Sequence, residues 1–252
     1  MIDIIIIFLV IIFYSAKKRN EIMNNYRNND KQINIADLDN IIIISDTNIN
    51  IKNIVDIDSE NSFMKAYSKF NINDILNIVL YCEGSNVSSS DAIINILLMH
   101  EGLINIYIPR YCYSGGSMIA LCGDNIYMNN YSLLSPVDPQ ISFDDQDEEE
   151  NLTSCKYYLN LKRVKGLKGM SEKNALRYYE CKHLYDDNLR NMDKILEDRY
   201  NLNTIKKIKK NFGHGIFPHA KQFNIDELEN MGIDISIPVP LKIERIFRRY
   251  FN

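Results

Sequence analysis

Short apolar runs that alternate with amphipathic stretches constrain this chain more than any other feature. Ile41–Ser45, Asn77–Tyr81, Ile104–Ile108 and Asn125–Met128 are each four or five residues long, rich in isoleucine and bounded by polar residues. That length and bounding predict strands buried on both faces. Between the first two, Phe63, Met64, Tyr67 and Phe70 recur at helical spacing, which predicts a helix over Ser59–Phe70. Ser88–Ser90 and Asp91 offer N-cap chemistry to a second helix running through Ala92, Ile93, Ile96 and Leu97 to His100. Ser117–Cys122 predicts a third. Strands and helices alternating at this interval imply an α/β fold of repeated βαβ units with right-handed crossovers. Ligands of such sheets gather at the carboxyl ends of the strands.

Two loops fall at those ends. One is Cys82-Glu83-Gly84-Ser85; the other is Tyr111–Tyr113 followed by Ser114-Gly115-Gly116. A serine at a strand-to-helix turn with glycine behind it has the form of a nucleophile. Its Oγ projects from the turn, the helix N-terminus favours developing negative charge, and the Gly115 N–H can donate to an oxyanion. The same residues also suit a plain glycine-rich turn with a serine N-cap. The convergence of the Gly84 loop on the same sheet end favours the nucleophile.

Composition bounds the remaining classes. The length of 252 residues suits one large domain or two small ones, and the net charge of −4 supplies no cationic surface for nucleic acid. The cysteines, Cys82, Cys112, Cys122, Cys155 and Cys181, are odd in number and match no zinc spacing. Buried free thiols in a reducing compartment are expected. His214 and His219 lie close in sequence but without a carboxylate or cysteine to complete a ligand set, so neither metal nor cofactor is expected. His100 and His183 sit in helical runs and are expected to be structural.

Ile4–Ala16 is apolar apart from Tyr14 and Ser15 and stops abruptly at Lys17-Lys18-Arg19. A secretory signal would need a positive n-region and a small-residue cleavage site, and a buried strand or helix does not explain the basic stop. A membrane anchor is predicted over residues 1–16, although its core is shorter than the roughly 20 residues a spanning helix prefers. The basic cluster places the remainder of the chain on the cytoplasmic side of a single-pass protein. Residues 17–40 then form a polar linker, and 41–252 the folded domain. Asp144–Glu150 is read as a solvated acidic loop, and the segment from Asn151 to Lys210 as predominantly helical. Lys206, Lys207, Lys209 and Lys210 form a basic patch, read as an exposed helix face or a phospholipid contact.

Over roughly Ile41–Ile235 the chain resembles the serine dehydrogenase proteinase family, membrane-associated members of the Clp-protease/crotonase superfamily distantly similar to signal peptide peptidase A. Ile108-Pro109-Arg110-Tyr111-Cys112-Tyr113-Ser114-Gly115-Gly116-Ser117-Met118-Ile119-Ala120-Leu121 is similar to the family's VP-x-YA-x-SAGT-x-IAL. Cys112 and Gly115 stand in place of alanine, and Ser117 in place of threonine. Ser132–Gln140 resembles S-x-LGPIDPQ, with Ser135 in place of glycine. His219 through Ile233 resembles the C-terminal TH-x-x-PI-x-x-EEA-x-x-LGL. Where the family has a PGG-type loop this chain has Glu83-Gly84-Ser85, with Ser85 in place of the second glycine.

The resemblance implies a Clp/crotonase-like spiral of βαβ units with a helical C-terminal region, assembled as a homo-oligomer. It implies a membrane-anchored serine peptidase that cleaves peptides or membrane proteins through a Ser114 acyl-enzyme. Gly115, Gly84 and Ser85 would hold the oxyanion. The base is open between Lys156 and His219. Lys156 follows Ser114 at a spacing similar to that of membrane-associated Ser-Lys proteases, and it would need burial to be neutral. His219 falls in the third motif and needs little tuning. Asp138 either orients the base or caps the Asp-Pro turn. Two other classes remain: an acyl-CoA enzyme of the crotonase fold, and an inactive scaffold at a membrane.

Overall fold

The alternation of side chains along the strands decides how the sheet is clothed. A computed structural model describes residues 41–45, 54–55, 57–142 and 152–251. The predicted anchor, the linker and the acidic run Asp144–Glu150 lie outside the described residues. Among the described residues no helix is long and apolar enough to cross a membrane.

The strands β1 (Ile41–Ser45), β3 (Leu76–Tyr81), β5 (Ile104–Ile108), β7 (Asn125–Met128) and β11 (Ile235–Ser236) form one parallel sheet. Their spatial order is their order in the chain, so every crossover steps the same way across the sheet. Ile42, Ile44, Ile78, Leu80, Ile106, Ile108, Ile126 and Met128 point to one face, into the main core. Helices α1 (Ile57–Tyr67), α2 (Val87–Met99) and α3 (Gly115–Ala120) cover that face. The alternate residues Ile41, Ile43, Val79, Tyr81, Tyr107 and Tyr127 meet Val239, Ile243 and Phe247 on the other face. The last two of these belong to the amphipathic C-terminal helix α8 (Leu241–Phe251). On this face Asn77, Asn105 and Asn125 sit in register. Asn125 donates to Asn105 Oδ1 at 2.8 Å, and Asn105 donates to Asn77 Oδ1 at 3.0 Å. Tyr107 O–H also donates to Asn77 Oδ1 at 3.0 Å, so that carbonyl takes two bonds.

A second layer of short strands refines the simple βαβ reading. Here β2 (Ile54–Val55) pairs with β4 (Gly84–Ser85), and β6 (Tyr111–Cys112) pairs with β8 (Leu133–Leu134), all parallel. A bridge from Cys82, two residues before β4, to Cys112 of β6 links the stretch leading into β4 with β6. The repeating unit is thus long strand, short strand, helix. Two-residue strands are below the reach of any periodicity.

Helix ends also differ from expectation. The cap of α2 is Asn86, extended at φ −65°, whose Oδ1 accepts from Ser88 N–H at 3.0 Å. Ser88–Asp91 lie inside the helix, with Ser89 and Ser90 buried. His100 is buried and donates from Nε2 to the Asp74 carbonyl at 2.7 Å, while Nδ1 accepts from Tyr67 O–H.

The C-terminal region is helical, as expected. Short strands β9 (Gln140–Ile141) and β10 (Thr153–Ser154) lead into α4 (Cys155–Lys165) and the long α5 (Glu172–Leu196). The two helices meet over Cys155, Tyr158, Tyr178 and Cys181. Then come α6 (Leu202–Ile208), a π turn over Lys209–Gly213, and α7 (Ile225–Met231), which opens on an Asn224/Glu227 capping box. Within the basic patch, Lys209 Nζ pairs with Asp193 at 2.6 Å, and Lys207 Nζ reaches the Asn230 carbonyl.

Candidate active site

The turn between β6 and α3 holds its serine in an unusual conformation. Ser114 has φ 52° and ψ −124°, and among the described residues it is the only non-glycine with positive φ. Such a conformation costs about 1–3 kcal/mol and persists only where the surroundings over-determine it. Three hydroxyl contacts do so. Ser114 N–H donates to Ser135 Oγ at 2.7 Å, and Ser135 N–H donates to Ser117 Oγ at 3.0 Å. Ser117 O–H closes the circuit on the Cys112 carbonyl at 2.7 Å. Ser114 is the backbone N-cap of α3, yet its side chain makes no capping hydrogen bond. The hydroxyl is left to the cleft.

That cleft has a volume of about 550 Å³. Ser114, Gly115, Gly84, Ser85, Asp138 and His219 all line it. As the first residue of α3, Gly115 has no intrahelical acceptor for its N–H. Of the consecutive residues Gly84 and Ser85, a parallel ladder turns only one amide toward β2 and leaves the other facing away. A Cβ added to Gly84 would lie 3.8 Å from Ser114 Cβ, so β4 runs directly beside Ser114.

The opposite side of the site is built by three segments that meet through backbone bonds. Leu134 and Phe223 exchange both backbone hydrogen bonds, Val137 N–H bonds the Phe212 carbonyl, and Cys155 N–H bonds the Pro139 carbonyl. This brings His219 against Asp138, with Nδ1 2.8 Å from Oδ1. Asp138 is 3% exposed, far from the profile of an ordinary turn residue. Its Oδ2 accepts from Ser154 O–H at 2.9 Å. A carboxylate only accepts, so Nδ1 of His219 is the donor in this bond and Nε2 is the ring nitrogen that Asp138 does not engage.

Lys156 is placed differently. It lies in the first turn of α4 and does not line the cleft. Its Nζ sits 5.2 Å from the centroid of the Tyr185 ring and 3.5 Å from the Tyr185 hydroxyl. That hydroxyl also meets His214 Nδ1 at 3.0 Å. Burial, then the charges of Lys156 and Lys209, push the His214 pKa below the usual histidine value. The structure therefore brings Ser114, Asp138 and His219 to one cleft and leaves Lys156 and His214 outside it.

None of the cysteines lines the cleft. All five are free and buried. The Sγ atoms of Cys82 and Cys112 lie 3.2 Å apart beneath α3, and burial pushes the Cys112 thiol up.

Residues 1–251 match the family described as ClpP-like SDH-type serine proteinase. The chain belongs to that family. Two uncharacterized proteins of Methanocaldococcus jannaschii are similar to it. MJ1495 is 27% identical over 179 residues, covering 69% of this chain and 56% of that protein. MJ0137 is 22% identical over 175 residues, covering 69% of this chain and 58% of that protein. The matched region thus spans little more than half the length of either relative. Among solved structures, ClpP1 from Listeria monocytogenes superposes with a TM-score of 0.48 at 12% identity, covering 81% of this chain and 94% of that one.

Membership gives meaning to the positions where the chain departs from the family pattern. Ser135, in place of glycine, supplies the hydroxyl that holds Ser114 N–H. Ser85, also in place of glycine, packs on Gly115, which stands in place of alanine. Sequence reasoning missed Ser135, Ser154 and the α5 wall of the cleft (Leu184, Asp187, Asn188, Asn191) as parts of the site. Ser135 was visible as a departure from the motif. The α5 wall had no local signal, since residues a hundred positions apart meet there, as in the 3.1 Å bond from Asn191 Nδ2 to Asp91 Oδ1. Burial pushes the Asp91 carboxyl above the usual range, against the opposing pull of Asn191 and Lys194.

Proposed function

We propose that this protein is a serine peptidase working through Ser114, His219 and Asp138. Ser114 Oγ attacks the carbonyl carbon of a peptide bond while His219 Nε2 takes the hydroxyl proton. The tetrahedral oxyanion is held by the Gly115 N–H and an amide of the Gly84–Ser85 strand. The C–N bond then breaks, the leaving amine receives the proton from His219, and water repeats the sequence to release Ser114. Asp138 orients the imidazole and stabilises its charged form. One observation supports this most: a strained serine and a carboxylate-bound histidine, 105 residues apart in sequence, open on the same cleft.

The test is labelling by a fluorophosphonate probe. The wild type should be modified at one site and Ser114→Ala should not. His219→Ala should slow labelling by on the order of 10²–10⁴. Lys156→Ala should label within a few-fold of the wild type. Equal labelling of Ser114→Ala removes the proposal, and a collapse in Lys156→Ala alone moves the base to the lysine.

We also propose that Ile4–Ala16 anchors the protein in a bilayer with the peptidase domain on the cytoplasmic side, so that substrates include membrane-protein segments. The full chain should resist alkaline carbonate extraction, and deletion of residues 1–19 should release it. A homo-oligomer is proposed from the ClpP-like family, and light scattering of the purified protein would measure it.

A further inference from the structure

Ser85 holds a side chain that hydrogen bonding does not explain. Its Oγ is shielded from solvent and has no hydrogen-bond partner among the described residues. Buried hydroxyls normally find partners, because an unpaired one forfeits its hydration. This oxygen is instead wedged on the α-carbon of Gly115. A Cβ placed on Gly115 would come 1.6 Å from Ser85 Oγ and 2.9 Å from Ser85 Cβ. The hydroxyl therefore occupies the volume that any side chain at position 115 would need. Ser90 Oγ, fixed by bonds to the Asn86 and Val87 carbonyls, closes the far side at 3.3 Å.

What the wedge touches matters. Gly115 supplies the first free N–H of α3, beside a serine whose backbone is already strained. Glycine has the widest choice of backbone conformations, and the Ser114–Gly115 peptide is tied only at its carbonyl, by a 3.3 Å bond from Met118 N–H, so a contact on the α-carbon restricts it further. Ser85 supplies that contact from a different element, the β4 strand that forms the other wall of the cleft. We infer that Ser85 is a positioning residue, whose hydroxyl fixes the Gly115 peptide and so aims the oxyanion N–H. The inference rests on the peptidase reading of the same cleft. A misplacement on the order of 1 Å of a group facing the transition state can cost about 10²-fold in rate.

A size exchange separates positioning from general stability. Ser85→Gly removes the wedge and should lower the fluorophosphonate inactivation step roughly ten- to a hundredfold, with little change in probe binding. Ser85→Gly/Gly115→Ala moves the missing bulk to the other partner, since the new methyl fills the volume the hydroxyl left. The double variant should label at least fivefold faster than Ser85→Gly. A residue that merely stabilises the fold would shift the thermal midpoint and leave the inactivation step unchanged. The inference is overturned if Ser85→Gly labels as fast as the wild type, or if the double variant is no faster than Ser85→Gly. A wild type without Ser114-dependent labelling defeats the peptidase reading and this inference together. A labelled wild type without rescue defeats this inference alone.

Discussion

Replacing Ser114 with glycine should make the protein more stable while abolishing its chemistry. Ser114 sits at φ 52° and ψ −124°, a region closed to residues with a Cβ except under constraint. Relieving that constraint returns about 1–3 kcal/mol. Glycine forfeits about 0.5–1 kcal/mol through the greater freedom of its unfolded chain. Almost nothing else is lost, because the Ser114 side chain makes no capping hydrogen bond. The net gain is centred near about 1 kcal/mol and reaches about 2.5 at most, or a rise of up to about 10 °C in thermal midpoint for a domain of this size. Ser114→Ala is the control, since it also removes the hydroxyl but keeps the Cβ and hence the strain. Differential scanning fluorimetry of the two variants reads the difference directly. If Ser114→Gly melts at or below Ser114→Ala, the backbone at this turn stores no strain and the comparison with a nucleophile turn loses its physical basis.

Other perturbations test the surrounding structure. His214 has its pKa lowered, so the folded state favours neutral imidazole. Its contribution is complete above about pH 6.5 and is lost as pH falls below that value. His214→Gln should flatten the fall in thermal midpoint between about pH 7 and pH 5, and an unchanged profile would exclude the histidine as its source. Asn105→Leu removes the middle of the amide ladder, leaving the half-buried Asn125 Nδ2 without its acceptor while Asn77 keeps Tyr107. Two lost bonds and one orphaned donor predict a loss of roughly 2–4 kcal/mol in urea unfolding, and a loss below about 0.5 would contradict the ladder. Gly116→Ala would place its Cβ 2.2 Å from Cys82 Sγ and 2.6 Å from Cys112 Sγ, both in the core. It should cost about 1–3 kcal/mol, and Cys82→Ala in the same chain should recover part of it.

The parallel strands could be read from the sequence because strands covered on both faces become continuous apolar runs. Ile41–Ser45, Ile104–Ile108 and Asn125–Met128 have the expected ends, and Asn77–Tyr81 gains only Leu76. What was missed is short or non-local. The strands β4, β6, β8 and β11 are two residues each, fixed by partners rather than by pattern. Helix α3 begins at Gly115 and not at Ser117, although glycines are poor helix formers. At Gly116 the reason is room, since the two thiols below leave no space for a side chain. In the site, Ser114 declared itself by its turn, but nothing local paired His219 with Asp138, 81 positions away. Lys156 had a suggestive spacing, and spacing says nothing about which way an ammonium group turns.

The segment from Leu134 to Gln140 links these observations, because it serves both halves of the site. Ser135 at one end braces the strained Ser114 backbone, and Asp138 three residues later fixes the His219 ring. Between them Val137 N–H bonds the Phe212 carbonyl, and the Leu134–Phe223 bridge ties the segment to the strand-like stretch beyond the histidine. Ser114 and His219 are therefore not positioned independently: each is referred to one short piece of backbone. Ser117 and Ser135, two of the departures from the resembled motif, both serve this segment. Substitutions that keep this segment seated keep Ser114 and His219 opening on one cleft. The hydroxyl oxygens of Ser117 and Ser135 seat it by accepting from Ser135 N–H and Ser114 N–H respectively. The site's tolerance is then set less by residue identity at each position than by whether Ser135 and Asp138 still face opposite partners across Pro136 and Val137.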